Sequence, residues 1–131
     1  MVDEGELKYW RDAGHVARRT LEAMKLELEP GKSFHEIIES AERFIHRHGG
    51  KPAFPATIAA NDLAAHFTTN HLIEDVEGWQ SGMILEKGDL VKIDYGVHIK
   101  GHIGDNAMSV EIGNGNNHTE QIKAAKEARD A

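Results

Sequence analysis

An α+β fold is predicted, with two N-terminal helices followed by an antiparallel sheet. Three observations carry the prediction. Apolar residues recur at helical spacing over residues 7–45. Residues 90–99 and 102–112 are rich in β-branched side chains and flank a two-residue Lys100-Gly101 break. The elements also come helices first and strands later, unlike the βαβ alternation of a doubly wound sheet. The 131 residues fit one domain, and zero Cys excludes a disulfide framework, a zinc finger and any thiol nucleophile. A net charge of −7 without clustered Lys or Arg argues against a nucleic-acid partner. No apolar run approaches the ~20 residues of a bilayer helix. Met1-Val2-Asp3-Glu4 has no basic n-region or apolar core, so no signal peptide is expected. The expectation is a cytoplasmic domain with no membrane partner.

The first helix is expected over residues 7–28, where Leu7, Trp10, Ala13, Ala17, Leu21, Met24 and Leu28 form one stripe. Pro30-Gly31 stops it. Ser33 and Glu36 form a capping box for a second helix carrying Ile37, Ile38, Ala41, Phe44 and Ile45, and Gly49-Gly50 ends that one. Phe54-Pro55, Thr57-Ile58 and Ala64-Ala65-His66-Phe67 read as short extended pieces with a turn at Asn61-Asp62. Residues 71–89 read as a loop excursion closed by Lys87-Gly88-Asp89, before the two long strands. Thr119 is placed to cap a last helix running to Ala128. That helix offers only Ile122 and alanines for burial, so the chain reads as a partial domain whose last element packs on something further.

The chemistry lies in two strand aspartates. Alternation sends Val91, Ile93, Tyr95, Val97 and Ile99 to one face and Leu90, Lys92, Asp94, Gly96 and His98 to the other. Aspartate is depleted in strands and loses hydration there unless compensated. With a two-residue turn, Ile99 faces His102 and Asp105 falls opposite Gly96. Asp94 is then its diagonal neighbour, about 7–8 Å away between backbones. Gly96 has no side chain, so the space between the carboxylates reads as open. Such a pair can share one cation, or two about 3.5–4 Å apart. Alternatively, each carboxylate is simply solvated or bonded to a backbone N–H. His66 is a candidate proton carrier, or else a half-buried imidazole with one satisfied nitrogen. His46 and His48 read as surface residues at a helix end, and His98 and His102 as solvated residues at a hairpin tip that could in principle bind metal.

Together these residues resemble the N-terminal part of a type 2, archaeal-like methionine aminopeptidase. The resemblance runs through Glu6-Leu7-Lys8-Tyr9, Leu28-Glu29-Pro30-Gly31 and Gly49-Gly50-Lys51-Pro52-Ala53-Phe54-Pro55. It continues through Asn61-Asp62-Leu63-Ala64-Ala65-His66, Lys92-Ile93-Asp94-Tyr95-Gly96-Val97-His98 and Gly101-His102-Ile103-Gly104-Asp105. It implies half of a pita-bread fold around a dinuclear metal centre, with two divalent ions (Co, Mn, Fe or Zn) in the intact enzyme. The implied activity removes the initiator methionine from nascent polypeptide N-termini when the second residue is small. Asp94 matches the aspartate that chelates one metal and Asp105 the one that bridges both. His66 matches the histidine beside the scissile peptide, and Phe54 a wall of the methionine pocket. The family's other ligands, one His and two Glu, belong to a second half beyond this chain. Thr69 stands where the family has proline, and the stretch from His66 to Asp94 is longer than usual. The chain alone is therefore expected to be inactive. Alternatives are an Xaa-Pro peptidase of the same fold, a non-catalytic pita-bread module binding protein or RNA, and a homodimer of the chain that rebuilds two-fold architecture.

Overall fold

The computed structural model describes residues 3–63, 66–69, 83–113 and 115–131. Helix α1 spans Glu4–Glu27 and α2 Phe34–Arg47. Strands β1 Lys51–Pro52, β2 Thr57–Ala60, β3 Leu90–Ile99 and β4 His102–Glu111 follow, and α3 Thr119–Asp130 comes last. The order is the expected one.

Local chemistry sets the helix limits. Asp3 accepts the Gly5 N–H at the start of α1, in reach of the helix dipole. The predicted capping box begins α2: Ser33 Oγ accepts from the Glu36 N–H at 3.1 Å, and Glu36 Oε2 accepts from the Ser33 N–H at 2.8 Å. That bonding holds the Glu36 carboxyl below its usual range. The start of α3 differs from expectation. Thr119 is already helical, and the N–H groups of the two residues before it are taken by Glu111. Its two carboxylate oxygens accept from Asn117 N–H at 3.2 Å and His118 N–H at 2.8 Å.

Strand β3 is the centre of the sheet, paired antiparallel with β4 on one edge and with both β1 and β2 on the other. Both turn residues of the β3–β4 hairpin have positive φ, 51° at Lys100 and 85° at Gly101. That is a type I′ turn, whose twist matches that of the strands, and it fixes the register without slack. Helices α1 and α2 cover the face bearing Val91, Ile93, Tyr95 and Val97, all fully buried. Leu21, Met24, Phe34, Ile37, Ile38 and Ile58 join them, each such side chain contributing about 1.5–3 kcal/mol on burial. Gly104 lets the α1 backbone lie directly on β4 at Ala13 and Gly14. Trp10, expected on the buried stripe, stays 41% exposed and meets His102 edge-on at the hairpin tip.

Of the expected excursion over 71–89, residues 71–82 lie outside the described residues. Its end is structural. Leu85 is buried in the core, donates to Lys32 O and accepts from Gly31 N–H, each at 2.8 Å. Phe34 N–H donates to Met83 O at 2.9 Å, so this stretch pairs with the α1–α2 connection. No residue of α3 is buried, because a hollow of about 420 Å³ separates Ile122 and Ala125 from the sheet. Among the described residues, no helix is long and apolar enough to cross a membrane.

Candidate metal centre

The I′ turn decides the geometry. With Ile99 opposite His102, Gly96 pairs with Asp105 and Asp94 with Ala107. Both aspartates therefore project from the face that α1 and α2 leave uncovered, as diagonal neighbours. Thr57 of β2 flanks Asp94 on the other side. The carboxyls come within reach of a shared hydrogen bond, and Asp94 is pushed above the usual carboxylate range. Burial is the main cause, the Asp105 charge and that bond add to it, and His66 pulls the other way. Asp94 Oδ1 is buried with no hydrogen-bond partner. A buried carboxylate oxygen left unbonded, on a side chain beside a second carboxylate, is unfavourable in a purely structural role. A cation would remove both the repulsion and the unmet bonding.

A hollow of about 360 Å³ lies over this pair, lined by Phe54, Pro55, Thr57, His66, Thr68, Asp94 and Asp105. All four site residues expected from the sequence thus line one space. The space above Gly96 is not open, however. A Cβ built on Gly96 would lie 2.6 Å from Phe54 Cδ1 and 2.7 Å from Cζ, so the Phe54 ring rests on this glycine. The Ala53 N–H bond to Gly96 O, at 2.9 Å, holds the Phe54 backbone there. The ring walls the hollow without parting the carboxyls.

His66 also departs from expectation. It sits in a turn with φ 68°, a left-handed conformation, and its side chain is exposed. Ala64 and Ala65, with which it read as an extended piece, lie outside the described residues. Phe67 alone keeps the expected strand-like contact, accepting the Ile58 N–H at 3.1 Å. The paired histidines at the hairpin tip fall on opposite faces, since His98 shares the Asp94 face and His102 the Ile99 face. They cannot share a metal. His46 is exposed, whereas His48 is half-buried, stacked on Phe44 at 4.0 Å.

Two carboxylates are hard oxygen donors suited to a divalent cation, and the orphaned Asp94 oxygen fits that use. Among the described residues, no three His, Asp or Glu side chains are grouped to hold an ion. The donors present fit part of a centre.

An acidic pair across a hairpin, with a histidine and an aromatic wall lining the same hollow, offers oxygen donors for part of a metal centre. Residues 8–131 match Metallopeptidase family M24, and the chain belongs to that family. It is 41% identical over 117 residues to a methionine aminopeptidase of Pyrococcus horikoshii, covering 89% of this chain and 36% of that protein. The chain thus spans little more than a third of that relative's length. The structure of methionine aminopeptidase from Rickettsia prowazekii superposes with a TM-score of 0.81 at 23% identity, over 98% of this chain and 51% of that one. X-Pro aminopeptidase from Thermotoga maritima gives 0.74 at 21% identity, over 94% and 33%. At such identities the likeness shows the fold, which is part of the pita-bread architecture.

Proposed function

We propose that this chain is the N-terminal part of a methionine aminopeptidase, a cytoplasmic enzyme that removes the initiator methionine from nascent polypeptides with a small second residue. One observation carries the reading: Asp94 and Asp105 share a face across Gly96, with a buried Asp94 oxygen left unbonded. The identity to the Pyrococcus methionine aminopeptidase supports this specificity over the Xaa-Pro enzymes of the same fold.

In this reading Asp94 and Asp105 hold two divalent ions (Mn, Fe, Co or Zn) together with ligands from the rest of the enzyme. When bound, such ions supply Lewis acidity toward water and the scissile carbonyl. His66 stands at the rim of the hollow, exposed and close enough to Asp94 to affect its ionisation. There its imidazole hydrogen-bonds the substrate's peptide group and passes a proton. The Phe54 ring gives the methionine side chain an apolar wall, and sulfur–aromatic contact adds about 0.3–1.5 kcal/mol.

Calorimetric titration of the chain with Mn²⁺ tests the centre. Weak binding, roughly millimolar, is expected from so few ligands. Asp94→Asn and Asp105→Asn should each weaken it at least tenfold. Equal binding by parent and variants would refute the site. Met-Ala-Ser peptide with Mn²⁺ or Co²⁺ should release no methionine, because two aspartates are an incomplete ligand set, and release would refute that part. A full-length protein cleaving Xaa-Pro peptides faster than Met-Ala-Ser would transfer the specificity to the Xaa-Pro enzymes.

A further inference from the structure

The left-handed turn at His66 belongs to no helix or strand, yet it must hold an exposed imidazole at the rim of the metal hollow. Such a conformation persists in a non-glycine residue only where its surroundings fix it. Among the described residues, the fixing contacts lie just downstream. Phe67 O accepts the Ile58 N–H at 3.1 Å, on the edge of β2 that faces away from β3. Thr68 Oγ1 donates to Ala56 O at 2.6 Å, and the Phe67 ring meets Phe34 edge-on at 6.3 Å. Thr69 is buried, and its hydroxyl lies 3.2 Å from His35 Nδ1.

His35 is itself held. Its Nε2 lies 3.4 Å from Glu39 Oε1, while Glu39 Oε2 accepts from Arg43 at 3.2 Å. The ring nitrogen that faces a carboxylate carries the proton. In the tautomer with the proton on Nε2, Nδ1 accepts from the Thr69 hydroxyl. Arg43, Glu39 and His35 follow one another at four-residue spacing along α2, so the line is carried by a helix rooted in the core. It ends three residues after His66. We infer that His35, oriented by Glu39, is a positioning residue that grips Thr69 and so holds His66 at the rim of the hollow. The inference rests on the proposed role of His66, and its test separates the two.

The test uses Thr69→Val and His35→Ala, with Thr69→Ser as the conservative control. The Ile58 N–H, bonded to Phe67 O, reports docking of the segment by hydrogen exchange. It should exchange at least tenfold faster in both variants and at the parent rate in Thr69→Ser, with the β3–β4 ladder unchanged. Mn²⁺ as a paramagnetic probe reports the position of His66. Broadening of its ring protons should fall at least threefold in both variants, while Asp94 and Asp105 stay broadened. Parent-like exchange at Ile58 would overturn the inference, and so would faster exchange with His66 still broadened as in the parent. Failure of Mn²⁺ to broaden Asp94 and Asp105 in the parent would refute the metal centre instead, leaving Ile58 exchange to decide for or against the grip. If Thr69→Val fails to fold, His35→Gln takes its place with the same readouts.

Discussion

Two glycines in contact should respond to one substitution with opposite signs. At Gly104 a Cβ would lie 2.5 Å from Gly14 Cα and 2.7 Å from the Ala13 carbonyl carbon. Ordinary carbon contacts are about 3.5–4.0 Å, so α1 would have to retreat by about 1 Å. The obstructing atoms are helix backbone and cannot swing aside. A gap of about 0.5–1 Å forfeits a quarter to a half of a contact's attraction, and Ala13, Val16 and Ala17 all lie buried in this part of α1. Overpacking ordinarily costs about 1–3 kcal/mol. With backbone against backbone, Gly104→Ala should cost about 3 kcal/mol, a large share of the roughly 5–15 kcal/mol that holds a domain. Gly14 lies inside α1, and a Cβ there meets nothing within 4 Å. Gly14→Ala should therefore stabilise by about 0.8–1 kcal/mol through helix propensity alone. Urea unfolding followed by circular dichroism at 222 nm measures both. Gly104→Ala within about 0.5 kcal/mol of the parent would refute direct stacking of α1 on β4. So would Gly14→Ala falling as far as Gly104→Ala.

Other outcomes follow from the same packing and charges. Asp94→Asn should stabilise the metal-free chain at pH 7. The raised folded pKa means the protonated form favours folding: that stability is present below the unfolded value, near 3.8, and is lost as pH rises through the folded value. The variant's advantage should therefore shrink to nothing as pH falls through that window, and urea midpoints that never converge on acidification would refute the assignment. Glu111→Ala should remove the carboxylate that accepts from the Asn117 and His118 N–H groups just before α3, at a cost of about 0.5–2 kcal/mol. With no buried residue to hold it, α3 should then show faster amide exchange over 119–130 while the sheet is unaffected. Unchanged exchange there would show that Glu111 does not support the helix.

The sequence by itself determined what depends on neighbours along the chain. Ser33 and Glu36 meet across one helical turn, so the box that begins α2 was legible. Lys100-Gly101 closes a hairpin of two residues, and from that turn the pairing of Gly96 with Asp105 and the common face of Asp94 and Asp105 follow by strand alternation. The tertiary structure alone decided what depends on segments far apart in sequence. The Phe54 ring over Gly96, Leu85 in the core and the grip of His35 on Thr69 all join segments that no periodicity links. His66 shows the division most plainly. Its residue type suggested proton chemistry, but its left-handed backbone and place at the rim come from contacts with β2 and α2. Side-chain direction along a strand is set by backbone geometry with a period of two, whereas a turn held by distant partners is fixed only once the core that brings them together has formed.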